Sequence, residues 1–129
     1  MQTSCDGLLN LSDEETIRAA RRYRNSPQTF VEEVLGVDFW PKQVEIIESV
    51  RDNERTAVKA CHASGKTKAA ADTAVWFLTA HYPSAVITTA PTNRQVAELL
   101  WREMRYDYHS AKVPLGGRFY EIPKWQLAD

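Results

Sequence analysis

The stretch from Ala57 to Ala74 reads AVKACHASGKTKAAADTA. At its centre stands Ser64-Gly65-Lys66-Thr67, followed by an alanine-rich run that favours helix. Glycine, lysine and threonine at the head of a helix are the residues with which a phosphate-binding loop ends. The motif has a glycine five places before Gly65, where this chain has Ala60. The stretch is therefore either a nucleotide site or only a turn between a strand and a helix.

The segments on either side of this loop predict the fold class. Residues 56–60 form a short, bounded segment that is consistent with a strand. Residues 84–90 read SAVITTA, and their small and β-branched side chains suit a buried strand. Helices are predicted over residues 67–81 and from Asn93 to about Ser110. Strand, loop, helix, strand and helix in this order predict an α/β fold with a parallel sheet and flanking helices. Only two strands of this partial, RecA-like P-loop NTPase sheet are visible.

Three helices are predicted before the first strand: a basic one that opens near Ser12, a short second one, and a third from Pro41. The arginines of the basic helix form either an interaction surface or an ordinary solvated face. We divide the chain into a leader with the basic helix, residues 1–27, and the N-terminal part of an ATPase domain, residues 28–129.

The loop residues have definable roles in phosphate binding. Backbone N–H groups of such a loop face the β-phosphate at the positive end of a helix. Lys66 would reach the β- and γ-phosphates, and the hydroxyl of Thr67 would be a ligand of Mg²⁺. A covalent role for Cys61 and His62 is disfavoured, because such a lone pair more often lines a loop. The predicted ATP-binding residues are Ala60, Cys61, His62, Ala63, Ser64, Gly65, Lys66 and Thr67.

Upstream of the loop, the chain reads Phe39-Trp40-Pro41-Lys42-Gln43. The amide of Gln43 can donate to and accept from an adenine edge, and Phe39 or Trp40 can stack on the ring. The same residues would also suit an ordinary helix start with a buried tryptophan. Adenine binding and simple packing both stay open for this stretch.

Downstream of the second predicted strand, a Pro-Thr turn opens a helix. Thr92 and Arg94, with nearby backbone N–H groups, are candidates for holding a nucleic-acid phosphate. Capping of the helix by Thr92 or Asn93 is the simpler alternative.

Two long segments carry a family resemblance: FVEEVLGVDFWPKQVEIIESVRDNERTAVKACHASGKT and AVITTAPTNRQVAELLWREMR. They resemble the N-terminal ATPase domain of the large terminase subunit of tailed phages, a family that packages viral DNA into preformed heads. The likeness covers roughly residues 28–128, since PLGGRFYEIPKWQLAD is similar to the strand region that follows in these proteins. The phosphate-binding loop alone would be a generic motif, whereas the segments taken together are moderately specific for this family.

The resemblance implies roles and partners. Gln43 would be the adenine-motif glutamine, and residues 60–67 would be the Walker A loop. Many terminases have an arginine at the position of His62, so the charge on the γ-phosphate would here come from elsewhere, such as Lys59 or a neighbouring subunit. The implied cofactors are ATP and Mg²⁺. The implied partners are double-stranded DNA, the small terminase subunit and the portal protein, in a possible ring of subunits.

Hydrolysis of ATP requires a further carboxylate strand, an apolar run that ends in Asp-Glu. No such run follows Thr67, because Asp107 falls in a predicted helix and Asp129 ends the sequence. We therefore expect no catalytic residue within this chain, and the Walker B half and the nuclease domain of the family to be absent. On its own, such a part of a motor would bind nucleotide but would not hydrolyse it.

Two other functions share these motifs. A DEAD-like helicase or translocase would have the same loop, glutamine and Pro-Thr turn. A non-catalytic module that binds DNA or a motor partner would use the loop for no chemistry at all.

The composition limits the kinds of partner and the cellular compartment that are expected for this protein. With 16 basic and 17 acidic residues, the net charge of −1 argues against a protein that coats nucleic acid by charge alone. No apolar run approaches the length of a membrane span, so no membrane partner is expected. Cys5 and Cys61 form neither a metal-type pair nor a disulfide framework, which favours a reducing intracellular setting. The resemblance to phage terminases implies the cytoplasm of the bacterial host.

Overall fold

A computed structural model of the protein describes residues 13–61 and 64–127. The helices are α1 (Asp13–Asn25), α2 (Pro27–Phe30, continued by a π-helical turn, Val31–Leu35), α3 (Pro41–Asp52), α4 (Lys66–Ala80) and α5 (Trp101–Ser110, preceded by a π-helical turn, Gln95–Leu100). Two short strands follow, β1 (Arg118–Phe119) and β2 (Trp125–Gln126). No helix in the described ranges combines the length and apolarity needed to cross a bilayer. The predicted cap Ser12 lies outside these ranges.

Proline and glycine set several of the helix ends. Pro27 and Pro41 occupy the first turns of α2 and α3, where a missing N–H costs nothing. Gly36 ends the π-helical turn with a left-handed backbone, φ 69°, and the N–H of Val37 donates to the carbonyl of Val31. These local signals explain why helices lie close to the positions that the sequence indicates.

Helix α4 is the centre of the molecule, because it contacts α1, α2, α3 and α5. Its small alanines let neighbouring helices approach closely, and Val75 and Trp76 are fully buried in the core. The indole Nε1 of Trp76 donates to the carbonyl of Tyr23 at 2.7 Å, which ties α1 to α4. The core around these residues comprises Phe30, Val31, Val34, Leu35, Ile47, Ala71, Ala74, Ala80, Trp101, Met104, Leu115 and Trp125.

The prediction of a parallel P-loop sheet is wrong for this structure. The described residues contain one two-stranded sheet, in which β1 and β2 are antiparallel and Phe119 is opposite Trp125. Residues 56–60 and 84–90, the predicted strands, are neither helical nor paired. Their β-branched side chains suit a strand, but a strand is stable only beside a partner about 4.8 Å away, and neither segment has one in the described chain.

A buried charged cluster joins α4 to α5. It consists of Lys68, Asp72 and Asp107, and the two carboxyl groups are 0% and 1% exposed. The Lys68 Nζ donates to Asp107 and lies 3.1 Å from Asp72 Oδ1, outside hydrogen-bond geometry. Burial raises the pKa of Asp72 to about 9, helped by the nearby carboxyl group of Asp107 and opposed by Lys68. Burial alone would lower the pKa of Lys68, but the two acids outweigh it and raise that pKa.

Candidate nucleotide site

The loop before α4 ends in a tight turn at the start of a helix. Gly65 is left-handed, with φ 81° and ψ 13°, and it caps a 15-residue helix that begins at Lys66. The carbonyl of Gly65 accepts the first helical bond from the N–H of Ala69 at 3.0 Å. The Ser64 hydroxyl donates to the carbonyl of Cys61 at 2.8 Å and closes the turn. The first N–H groups of a helix have no acceptor within it, so they form a positive end suited to an anion.

Gln43 connects the start of α3 to this loop. Its Oε1 accepts from the N–H of Trp40 at 3.2 Å, and its Nε2 donates to the carbonyl of Gly65 at 3.1 Å. The residue is only 7% exposed. A glutamine amide has two donor hydrogens and two acceptor lone pairs. One donor holds the loop and one acceptor is used at the start of α3, so one of each is left.

Replacing Gly65 with alanine tests this contact. The added Cβ would lie 2.6 Å from Gln43 Nε2, on a backbone with positive φ. We expect Gly65→Ala to lower the free energy of unfolding by about 2–3 kcal/mol, as measured by urea titration. Gly36→Ala is the matched control, because its φ is also positive but its Cβ would meet only the flexible end of Lys112. Equal losses in the two variants would contradict a close fit between Gly65 and Gln43.

A cavity of about 500 Å³ lies between α3 and the segment that leads into the loop. Six of the residues predicted from the sequence line it together: Trp40, Gln43, Ala60, Cys61, Ser64 and Lys66. The structure therefore brings the upstream aromatic and glutamine to the same cavity as the loop. Trp40 is 48% exposed, so part of its ring is open to a planar ligand.

The charge around this cavity is positive. Lys42, Lys59 and Lys66 all line it. Lys42 is paired with Glu45 at 3.0 Å. No salt bridge involves Lys59 or Lys66 in the portion of the chain described, and Lys66 Nζ lies 3.4 Å from the carbonyl of Ala60. Two cationic side chains are therefore available to an anionic ligand.

Thr67 lies on the wall of an adjoining cavity of about 380 Å³. Lys66 lines both cavities, so the two spaces meet at this lysine. Gln95, from the π-helical turn before α5, also lines the second cavity. The predicted Mg²⁺ hydroxyl is thus near the phosphate lysine, on the side that faces the helices.

Other predicted residues lie elsewhere. Phe39 packs against the hydrophobic core and does not line the loop cavity. The hydroxyl of Thr92 accepts from the N–H of Gln95 at 3.3 Å, which is the capping role that the sequence left open. Arg94 is exposed and paired with Glu98 at 2.8 Å. The predicted backbone donors of residues 62–63 fall outside the described ranges.

Neither the acids of the buried cluster nor the bond between Gln43 and Gly65 was predicted from the sequence. Asp72 follows Lys68 by one helical turn, a visible spacing, but the partner Asp107 is 39 positions from Lys68. Within the described residues, no group of three or more His, Cys, Asp or Glu side chains could hold a metal ion.

Cys61 is a free, exposed thiol on the cavity wall.

No family model, curated protein or solved structure matches the chain. The nature of the site therefore has to be argued from its own geometry.

Proposed function

We propose that this chain binds ATP with Mg²⁺ at the loop of residues 60–67, as the nucleotide-binding part of a DNA-packaging motor of the large-terminase type. One observation carries the proposal. The cavity of about 500 Å³ brings Trp40 and Gln43 together with Lys66 and the turn that ends at Gly65. An aromatic face, an amide, a phosphate lysine and a helix N-terminus at one cavity suit a nucleotide better than they suit a simple turn.

Each side chain has a separate task in this proposal. The N–H groups at the start of α4 and the ammonium of Lys66 bind phosphate oxygens. Thr67 supplies a hydroxyl to Mg²⁺. Trp40 stacks on the base, and Gln43 uses its remaining donor and acceptor on the base edge while it holds Gly65. Lys59 supplies the positive charge that many terminases obtain from an arginine at the position of His62.

Binding and hydrolysis have different requirements. Hydrolysis needs a carboxylate that orients water and a second one near the metal. The two buried acids of this chain, Asp72 and Asp107, are engaged with Lys68 instead. We therefore expect the isolated chain to bind ATP with little turnover. In the proposed motor, hydrolysis would drive translocation of double-stranded DNA, with the small subunit and the portal protein as partners.

Calorimetric titration of Mg-ATP into the purified chain tests this proposal. We expect saturable binding that is weakened at least tenfold by Lys66→Ala, because a direct phosphate contact is lost. Lys42→Ala is the matched control, since Lys42 lines the same cavity but is paired with Glu45. In this variant the affinity for Mg-ATP should change by less than about threefold.

Two results would overturn the proposal. One is the absence of binding to a wild-type chain whose helical circular dichroism shows it to be folded. The other is an equal effect of the two lysine variants, which would indicate attraction by general charge rather than by the loop.

A further inference from the structure

A groove of about 530 Å³ lies along α4, and we call it the central groove. One wall is formed by Thr56 and Val58 and the other by residues 85–89. The floor is the face of α4 that carries Ala70 and Phe77. Two irregular segments therefore run along an apolar helix surface with a gap between them.

The main chain of both walls lacks hydrogen bonds. Within the part of the chain that the structure describes, no backbone N–H or C=O of residues 55–59 or 84–90 bonds to another residue. Each wall is attached to a helix by a threonine side chain. Thr56 Oγ1 lies 3.1 Å from the hydroxyl of Ser49, and Thr88 Oγ1 accepts from Trp101 Nε1 at 3.1 Å. The walls are thus fixed in place with their peptide groups open to a partner.

The side chains of the walls are those of an exposed strand. From residue 84 to residue 89, half-buried and exposed positions alternate, as in an extended chain. Ile87 is 85% exposed and Val58 is 49% exposed. Unpaired extended backbone with exposed β-branched side chains is a template on which another strand can pair.

We propose that the central groove binds an extended, β-branched segment of another polypeptide, which pairs with the main chain of the walls and lays alternate apolar side chains on α4. An apolar small molecule or a lipid chain would cover the floor but would satisfy none of the free peptide groups. A second copy is the less suitable occupant, because Thr56 and Thr88 attach its own wall segments to helices. The proposal does not rest on nucleotide binding, although Thr56 and Val58 also line the loop cavity and Ala70 also lines the cavity beside Thr67.

Amide hydrogen exchange of the full chain, with and without a synthetic peptide, tests the proposal. The probe is acetyl-Val-Thr-Val-Thr-Val-Thr-amide, which offers one apolar and one polar face. We expect exchange to slow at least tenfold within residues 55–59 and 84–90, and to stay unchanged in α1. The same peptide with N-methyl groups at alternate residues keeps its side chains but loses backbone donors, so it should give no protection.

Two variants locate the effect. Ala70→Lys places a long charged side chain on the groove floor at an exposed helix position, and it should abolish protection. Ala19→Lys makes the same change on α1 and should leave protection as in the wild type. Circular dichroism of both variants establishes that they are folded.

Three outcomes would overturn the proposal. The first is no protection in a folded wild-type chain. The second is equal protection by the N-methylated peptide, which would show a merely apolar groove. The third is concentration-dependent protection of the same segments without peptide, with a dimer in sedimentation, which would assign the groove to a second copy.

Discussion

Lys68→Met is expected to lower the free energy of unfolding by about 3–5 kcal/mol at pH 7. The ammonium group of Lys68 donates to Asp107 and lies 3.1 Å from Asp72, and both acids are almost completely buried. Methionine has a similar length but no charge, so the variant leaves a buried carboxyl group without its cation. The folded protein must then either bury an unpaired charge or take up a proton, and both are costly at neutral pH.

Urea unfolding followed by circular dichroism measures this loss. Lys42→Met is the matched control, because Lys42 is exposed and paired with Glu45, and its loss should stay within about 0.5 kcal/mol. The deficit of Lys68→Met should shrink as the pH approaches 4, where the carboxyl groups of the unfolded chain also become protonated. A deficit no larger than that of the control, or one that is independent of pH, would show that the cluster is not held together by charge.

Asp72→Asn is expected to reduce the loss of stability at alkaline pH. The pKa of Asp72 is raised to about 9 in the folded protein, against about 3.9 in an unfolded chain. Between these two pH values the folded state holds one proton more than the unfolded state. Its stability therefore falls as the pH rises, by up to about 1.4 kcal/mol per pH unit from this group. Asparagine has nearly the same shape and does not titrate, so its contribution to the free energy of unfolding should not change with pH.

Urea unfolding of both proteins from pH 6 to pH 9 gives the comparison. From pH 6 to pH 9, the free energy of unfolding of Asp72→Asn should rise relative to that of the wild type by up to about 4 kcal/mol. Asp52→Asn is the control, because Asp52 is exposed and the hydrogen bond from Arg51 lowers its pKa, so its titration lies below this range. Parallel curves for wild type and Asp72→Asn would mean that Asp72 is ionised in the folded protein.

The helices and the loop could be predicted because their signals are local. Pro41 and Gly36 mark helix ends through their own backbone preferences, and the alanine-rich run after Lys66 favours helix. The parallel sheet was predicted wrongly for a related reason. The composition of residues 84–90 suits a strand, but pairing depends on a neighbour that no local pattern supplies.

The candidate site was predictable only in part. The sequence indicates Lys66, Thr67 and Gln43, and the structure places Lys66 and Gln43 on one cavity wall. It does not indicate that Gln43 holds Gly65, a contact across 22 positions, or that Asp107 binds Lys68 across 39. Such contacts depend on how the helices pack, and a single sequence contains no pattern from which they could be read.

The buried cluster also has a consequence for the loop, through the geometry of α4. Lys66 and Lys68 are two positions apart, which places them about 200° apart around the helix axis. Because Lys68 is bound to Asp107 on α5, α4 cannot turn about its axis without breaking a buried ion pair. The interior of the protein thereby sets the direction in which Lys66 leaves the helix, and it keeps that direction towards the cavity.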